Sequence, residues 1–273
     1  MLELVKAAFL GIVEGITEWL PISSTGHMIL VDEFVQLNVS EAFWNMFLVV
    51  IQLGAILAVV VIYWNKIFPF SFHKGEPFLK KDIFQMWFKI IVGVIPAAVV
   101  GIPLDDFMEE HLNNYQVVAI ALIVYGVVFL VIENRNRGRR FAITDMSQMT
   151  YGTALKIGCF QVLSLIPGTS RSGSTIIGGM LSGASRPVAA EFTFYLAIPV
   201  MFGASLLKLL KFGLSFTLME IAILAVGMLV AFFVSILAIR FLMGYVKKYD
   251  FKPFGYYRIA LGALVLLYFA IVK

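Results

Sequence analysis

Glu14-Gly-Ile-Thr-Glu-Trp-Leu-Pro-Ile-Ser-Ser-Thr-Gly-His27 has a second, altered copy in the same chain, Gln161-Val-Leu-Ser-Leu-Ile-Pro-Gly-Thr-Ser-Arg-Ser-Gly-Ser174. Laid over one another without a gap, Gly11 falls on Gly158, Glu14 on Gln161 and Ser23 on Ser170. Ser24 then falls on Arg171, Thr25 on Ser172, Gly26 on Gly173 and His27 on Ser174. Each copy is a Pro/Gly/Ser/Thr turn between two short apolar stretches, so each reads as a helical hairpin. Together they carry carboxylates, hydroxyls, one His and one Arg into surroundings where lipid makes such groups costly, which marks a functional site.

Those surroundings follow from composition. A chain of 273 residues that is 60% hydrophobic and only 14% charged cannot be a soluble domain. The expected fold class is an all-α polytopic membrane protein. Uncharged apolar runs at residues 42–64, 90–104, 112–132, 192–207, 221–239 and 259–272 predict six spanning helices, the shorter ones extended by Lys or Arg reaching the interface. The start of the chain lacks a basic leader and a small-residue cleavage site, so no removable signal peptide is expected. The single cysteine, Cys159, excludes an intrachain disulfide and a Cys-based metal site and is expected to be a small buried filler.

Charge gives the orientation. The connections at 65–85 (Lys66, Lys74, Lys80, Lys81), 133–150 (Arg135, Arg137, Arg139, Arg140) and 240–252 (Arg240, Lys247, Lys248, Lys252) are basic. The connection at 105–110 holds Asp105, Asp106, Glu109 and Glu110. The basic loops are therefore predicted to be cytoplasmic, and the arginine cluster reads as a topology signal rather than a nucleic-acid site. If each half is one hairpin plus three crossings, the halves, about 1–133 and 151–273 of one integral membrane domain, run in opposite directions. Both hairpins are then re-entrant from opposite faces and their turns meet near mid-depth. Phe47–Leu57 resembles Phe194–Leu206, in support of this pairing.

Glu14 and Glu18, spaced i, i+4, share one helix face and together call for a cation. With no thiolates and few histidines, a divalent ion with oxygen ligands, Mg2+ or Ca2+, is the expected cofactor. Ser23, Ser24 and Thr25 cap the helix starting near Gly26, where free backbone N–H groups favour phosphate. His27 is close enough in sequence to act as base or acid beside them, whereas His73 and His111 fall in polar connections. The second turn, with Gly168, Ser170, Arg171, Ser172 and Gly173, has the composition of an anion cradle in which Arg171 grips phosphate bidentately. Pairing of Arg171 with Glu14 or Glu18 is the alternative. Gln52 and Gln161 are supporting candidates behind these residues.

At these residues the chain resembles the undecaprenyl-diphosphate phosphatases of the bacitracin-resistance type. Glu14-Gly-Ile-Thr-Glu18, Pro21-Ile-Ser-Ser-Thr-Gly-His27 and Pro167-Gly-Thr-Ser-Arg-Ser-Gly173 match three elements of that family in order, and Ile51-Gln-Leu-Gly-Ala55 and Glu191-Phe192 also fit. The resemblance covers the whole chain. It implies hydrolysis of the C55 isoprenyl diphosphate to the monophosphate carrier lipid and phosphate, with a divalent cation, at the outer side of the bacterial cytoplasmic membrane. The carrier would return to peptidoglycan synthesis, giving bacitracin resistance, with bacitracin competing for the substrate.

In that chemistry Glu14 and Glu18 hold the cation, Arg171, Ser170 and the turn N–H groups grip the diphosphate, and Ser24 is the preferred nucleophile. Thr25 or a water activated by His27 are alternatives. The expected partners are a long-chain polyprenyl diphosphate and membrane lipids, with no nucleic acid; a homodimer is the candidate assembly. A competing reading is a secondary transporter or flippase for a lipid phosphate or small anion, because such proteins also use inverted repeats with broken helices. The unlike side chains of the two copies favour the enzyme.

Overall fold

The computed structural model describes residues 1–273 except 73, 74, 76, 113, 214 and 273, and except the side chains of residues 105, 106, 109 and 272. His73 and Lys74 thus lie outside the described residues. The chain is helical: α1 Leu2–Thr17, α2 Ser24–Asp32, α3 Glu41–Val50, α4 Gln52–Ile62, α5 Trp64–Ile67, α6 Lys81–Leu112, α7 Tyr115–Arg135, α8 Tyr151–Val162, α9 Arg171–Leu181, α10 Arg186–Phe212, α11 Leu218–Val246 and α12 Lys252–Val272. Six stretches among the described residues are long and apolar enough to cross a bilayer, namely Glu41–Ile62, Lys81–Leu104, Tyr115–Arg135, Arg186–Phe212, Leu218–Val246 and Lys252–Ile271. These are the six runs expected from the sequence, each with shifted ends.

Four local expectations need correction. The first span is interrupted at Ile51, where Gly54 N–H bonds to the Ile51 carbonyl at 3.1 Å and tightens one turn. The acidic stretch 105–110 is not a connection but the end of α6. Arg240 likewise sits inside α11, so the basic connection there is only the short segment before α12. Cys159 is exposed on α8 rather than buried.

The two hairpins, α1–α2 and α8–α9, each return to the end of the molecule from which they start. Lys6 Nζ donates to the Gln36 carbonyl at 2.7 Å and Asn38 N–H to Glu3 Oε2 at 2.8 Å, closing the open end of the first. At the opposite end of the molecule, Ile143 N–H bonds to the Gly183 carbonyl and Ser185 N–H to the Ile143 carbonyl, closing the second. The sixteen residues of α1 and eleven of α9 are about 24 Å and 16 Å long, too short for a hydrocarbon layer of about 30 Å.

Each hairpin's first helix packs on a long helix of the other half, α1 on α11 and α8 on α6. Close approach is needed at the equivalent glycines: a Cβ on Gly11 would lie 2.6 Å from the Gly227 carbonyl oxygen, and one on Gly158 2.3 Å from that of Gly93. Without a side chain the helices come near enough for dispersion to hold them, which matters in lipid because burial from water is not gained. Around the turns the core is aromatic, with Trp19 fully buried and edge-on to Phe194 at 5.4 Å. Large apolar side chains such as Phe88, Val99, Val131, Phe202, Phe233 and Leu237 stay exposed along the long helices, the pattern of a lipid-facing surface.

The basic segments gather at one end. Lys66 pairs with Glu191 at 2.8 Å, Arg186 with the buried Glu133, and Phe251 N–H also bonds to Glu133, tying α4–α5, α7, α10 and the start of α12 together there.

Candidate active site

The turns that end α1 and α8 arrive at the same place with the same backbone. Ser23 (φ 74°) and Ser170 (φ 72°) are the only non-glycine residues with positive φ among the described residues. Such backbone costs on the order of 1–3 kcal/mol at a non-glycine residue and persists only where surroundings impose it. Here each serine hydroxyl offsets part of that by capping the following helix, Ser23 Oγ accepting from Gly26 N–H at 3.3 Å and Ser170 Oγ from Gly173 N–H at 3.2 Å.

The facing side chains form one chain of hydrogen bonds. Ser24 Oγ donates to Glu18 Oε2 at 2.9 Å, and Glu18 Oε1 accepts from Arg171 Nη2 at 2.8 Å. Arg171 also donates through Nη1 to the Thr193 carbonyl at 3.0 Å, and its guanidinium lies over the Trp19 ring, 5.7 Å from the centroid. Both members of the ion pair are largely buried, at 11% and 8% side-chain exposure. The charges therefore interact in a poorly screened setting, and their geometry is fixed on three sides.

A cavity of about 200 Å³ is walled by Glu18, Ser23, Ser24, Gly168, Ser170 and Arg171. It shares Ser24, Thr25, Gln52 and Pro167 with a larger one of about 650 Å³ that extends past Glu14 to Asp32, Asn114 and Lys208, at the end opposite the basic segments. Gln52, expected only behind the site, is in the wall of both. Glu14 is 2% exposed and its Oε1 has no hydrogen-bond partner among the described residues, with Glu18 and Arg171 as its charged neighbours.

Other expected residues are turned elsewhere. Ser172 Oγ donates toward the Glu18 and Leu20 carbonyls at 3.1 and 3.2 Å, so it fastens one turn to the other rather than facing the cavity. Gly173 is buried beneath the turn. His27 Nδ1 is 2.7 Å from the Ser23 carbonyl and Nε2 is 2.7 Å from the Tyr257 hydroxyl. A carbonyl only accepts, so Nδ1 carries the proton and Nε2 accepts from Tyr257; neither nitrogen addresses Ser24. Gln161, the counterpart of Glu14, is buried, and its amide has no partner among the described residues.

Two residues of α12 escaped the sequence reading. Tyr257 holds His27, and Arg258, fully buried, donates to three carbonyls: Pro21 at 3.3 Å, and Gly168 and Thr169 at 2.9 Å each. An Arg beside an apolar run is a signal, but Arg258 stood just outside the stretch taken as the last span.

With this geometry in place, the chain can be set beside known proteins. The family described as Bacitracin resistance protein BacA matches residues 7–264. The chain belongs to this family. The undecaprenyl-diphosphatase of Acetivibrio thermocellus is 63% identical over 273 residues, covering 100% of both chains. Undecaprenyl-diphosphatase 1 of Clostridium acetobutylicum is 64% identical over 272 residues, 99% of each chain. The undecaprenyl-diphosphatase of Enterococcus faecalis is 62% identical over 271 residues, 99% of this chain and 98% of its own. Both hairpin turns lie inside the matched region.

Proposed function

We propose that the chain hydrolyses undecaprenyl diphosphate to undecaprenyl phosphate and inorganic phosphate, and that the turn–turn cavity is where it does so. The observation that carries the site assignment is the linked set Ser24, Glu18 and Arg171 in a cavity wall. A half-buried serine hydroxyl donating to a carboxylate is aligned to lose its proton to it, and a guanidinium in the same wall suits a phosphate.

In the reaction Ser24 Oγ attacks the terminal phosphorus as Glu18 takes the hydroxyl proton. The bond to the bridging oxygen breaks, releasing undecaprenyl phosphate. Water then attacks the phosphoserine, restoring the serine and releasing phosphate. Arg171 neutralises charge on the transferring phosphoryl oxygens, which is the larger part of catalysis when the transition state is loose. Its pairing with Glu18 and its phosphate contact are compatible: the guanidinium has five N–H donors, and its bonds to Glu18, Thr193 and the Met201 sulfur leave others for a ligand. His27, held between Ser23 and Tyr257, orients the first turn rather than accepting the serine proton.

Of the two expected cation ligands, Glu14 fits better, because its buried Oε1 lacks a partner while both oxygens of Glu18 are engaged. Glu14 would hold a Mg2+ or Ca2+ together with substrate oxygens; when bound, the ion supplies neutralisation of phosphate charge.

The orientation belongs to the same reading. With the basic end in the cytoplasm, both hairpins are re-entrant in a bacterial cell membrane and the larger cavity opens outward, where bacitracin would compete for the same lipid diphosphate. In a Cys159→Ser background, a cysteine at exposed Glu110 should react with an impermeant thiol reagent in whole cells and one at Arg137 should not; the reverse pattern overturns the outward-facing site. The function itself is tested by phosphate release from a long-chain isoprenyl diphosphate by the purified protein, with and without chelator. No release at any divalent concentration would sink it.

A further inference from the structure

We infer that Arg258 is a positioning residue for this reaction, fixing the distance between the two turns and so the reach from Ser24 and Glu18 to Arg171. The carbonyls it holds are symmetry mates: Pro21 and Gly168 are equivalent positions of the two copies, and Arg258 Nη1 and Nη2 take one each, at 3.3 and 2.9 Å. Nη2 also holds Thr169 at 2.9 Å. A single guanidinium therefore sits between the turns and is hydrogen-bonded to both, just before the left-handed serines that launch α2 and α9.

The cost of placing it there argues for a role. Arg258 is 0% exposed, and no ion pair among the described residues includes it. Its neutralising contacts are the three carbonyls and the Tyr125 ring, 5.7 Å from its centre. A buried cation without a carboxylate is a poor way to gain stability. It is a good way to fix two backbones, because the planar fork directs its N–H groups at set angles. The second turn has no slack: at Gly168 (φ 89°) a Cβ would lie 2.5 Å from the Val118 carbonyl oxygen of α7. With that turn pressed on α7, the grip on Pro21 fixes where the first turn sits. Arg258 lines neither cavity, so it acts through the turns and not on substrate.

The inference rests on the phosphatase reading, and the experiment separates the two. The purified parent, Arg258→Lys and Arg258→Gln are assayed in one detergent for phosphate release, with melting temperature measured on the same preparations. An inactive parent defeats the phosphatase reading and leaves nothing to position. With an active parent, Arg258→Gln should lower kcat roughly tenfold or more while KM stays within about threefold, because misplacing a nucleophile affects the chemical step more than ground-state binding. Arg258→Lys should keep part of the rate, since an ammonium still donates to carbonyls. Should the glutamine variant fail to fold, the same kcat-against-KM comparison is made on the lysine variant. Parent-like kcat per folded molecule with only a lower melting temperature overturns the inference, as does a rise in KM with kcat unchanged.

Discussion

The two turns have nearly the same backbone and different chemistry. At the positions that shape the chain they agree: Ser23 and Ser170 share the left-handed φ and the cap to a glycine N–H, and Gly11 and Gly158 both allow a close helix crossing. At three other positions they part. Glu14 faces Gln161 across the repeat, Glu18 faces Leu165, and Ser24 faces Arg171. The duplicated scaffold supplies two helix N-termini, and the divergence puts a hydroxyl and a carboxylate on the first turn and a guanidinium on the second. A symmetric carrier of anions has no need of that division.

The largest effect should come from breaking the bond that joins the unlike turns. Arg171→Ala should lower turnover about a thousandfold and also destabilise the fold by roughly 3 kcal/mol, because it leaves the Glu18 carboxylate buried without its cation. Pairing Arg171→Gln with Glu18→Gln should return melting to near the parent's while turnover stays low. Turnover that recovers with melting would mean that the pair is architectural.

Ser24→Ala removes only a hydroxyl from the half-buried start of α2. Turnover should drop about a hundredfold or more with melting shifted by less than about 1 kcal/mol, and no phosphorylated protein should be trapped on rapid quenching. Parent-like turnover would move the nucleophile to Thr25 or water and weaken the contrast between the turns.

The Glu14 and Gln161 pair sharpens it further. Glu14→Gln should raise the divalent concentration needed for half-maximal activity about tenfold or more, since it removes a carboxyl group from the wall of the larger cavity. Gln161→Leu should leave the metal dependence alone and change stability by about 1 kcal/mol or less, because it removes a buried amide that lacks partners. Equal shifts in metal dependence would make the two positions functionally alike.

Much of this was legible in the sequence because lipid restricts the choices: runs without charge must be helices, and polar turns between them must be buried in protein. The two hairpins and the six spans were readable on that ground. The ends were not. The acidic stretch 105–110 holds no Gly or Pro to break a helix, so α6 runs on through it toward the Asn114 cap of α7. Site residues followed the same division. Ser24, Glu18 and Arg171, singled out as polar groups placed where lipid forbids them, are brought into one hydrogen-bonded set. Ser172 and His27 are engaged with backbone carbonyls, because a hydroxyl or imidazole bonds a carbonyl as readily as a ligand and carbonyl positions are set by the fold. Arg258 went unseen for that reason too, since its hydrogen-bond partners among the described residues are main-chain oxygens.

The smallest expected effect tests the likeness of the turns rather than their difference. Glycine accepts positive φ without the strain a side chain brings, so Ser23→Gly and Ser170→Gly should each relieve on the order of 1 kcal/mol. Each also loses a cap, which costs a few tenths of a kcal/mol when glycine replaces serine, and gains freedom in the unfolded chain that opposes folding by up to about 1 kcal/mol. The terms nearly cancel. Both variants should therefore melt within about 1 kcal/mol of the parent, and both shifts should have the same sign, because the backbones differ by only a few degrees in φ. Ser172 gives a reason the balance could tilt on one side: its Oγ lies 3.1 Å from that of Ser170, and this bond joins the network that fastens the turns. Opposite signs for the two glycine variants, read as melting temperatures in one detergent, would show that the second serine holds the turns together and is more than a cap.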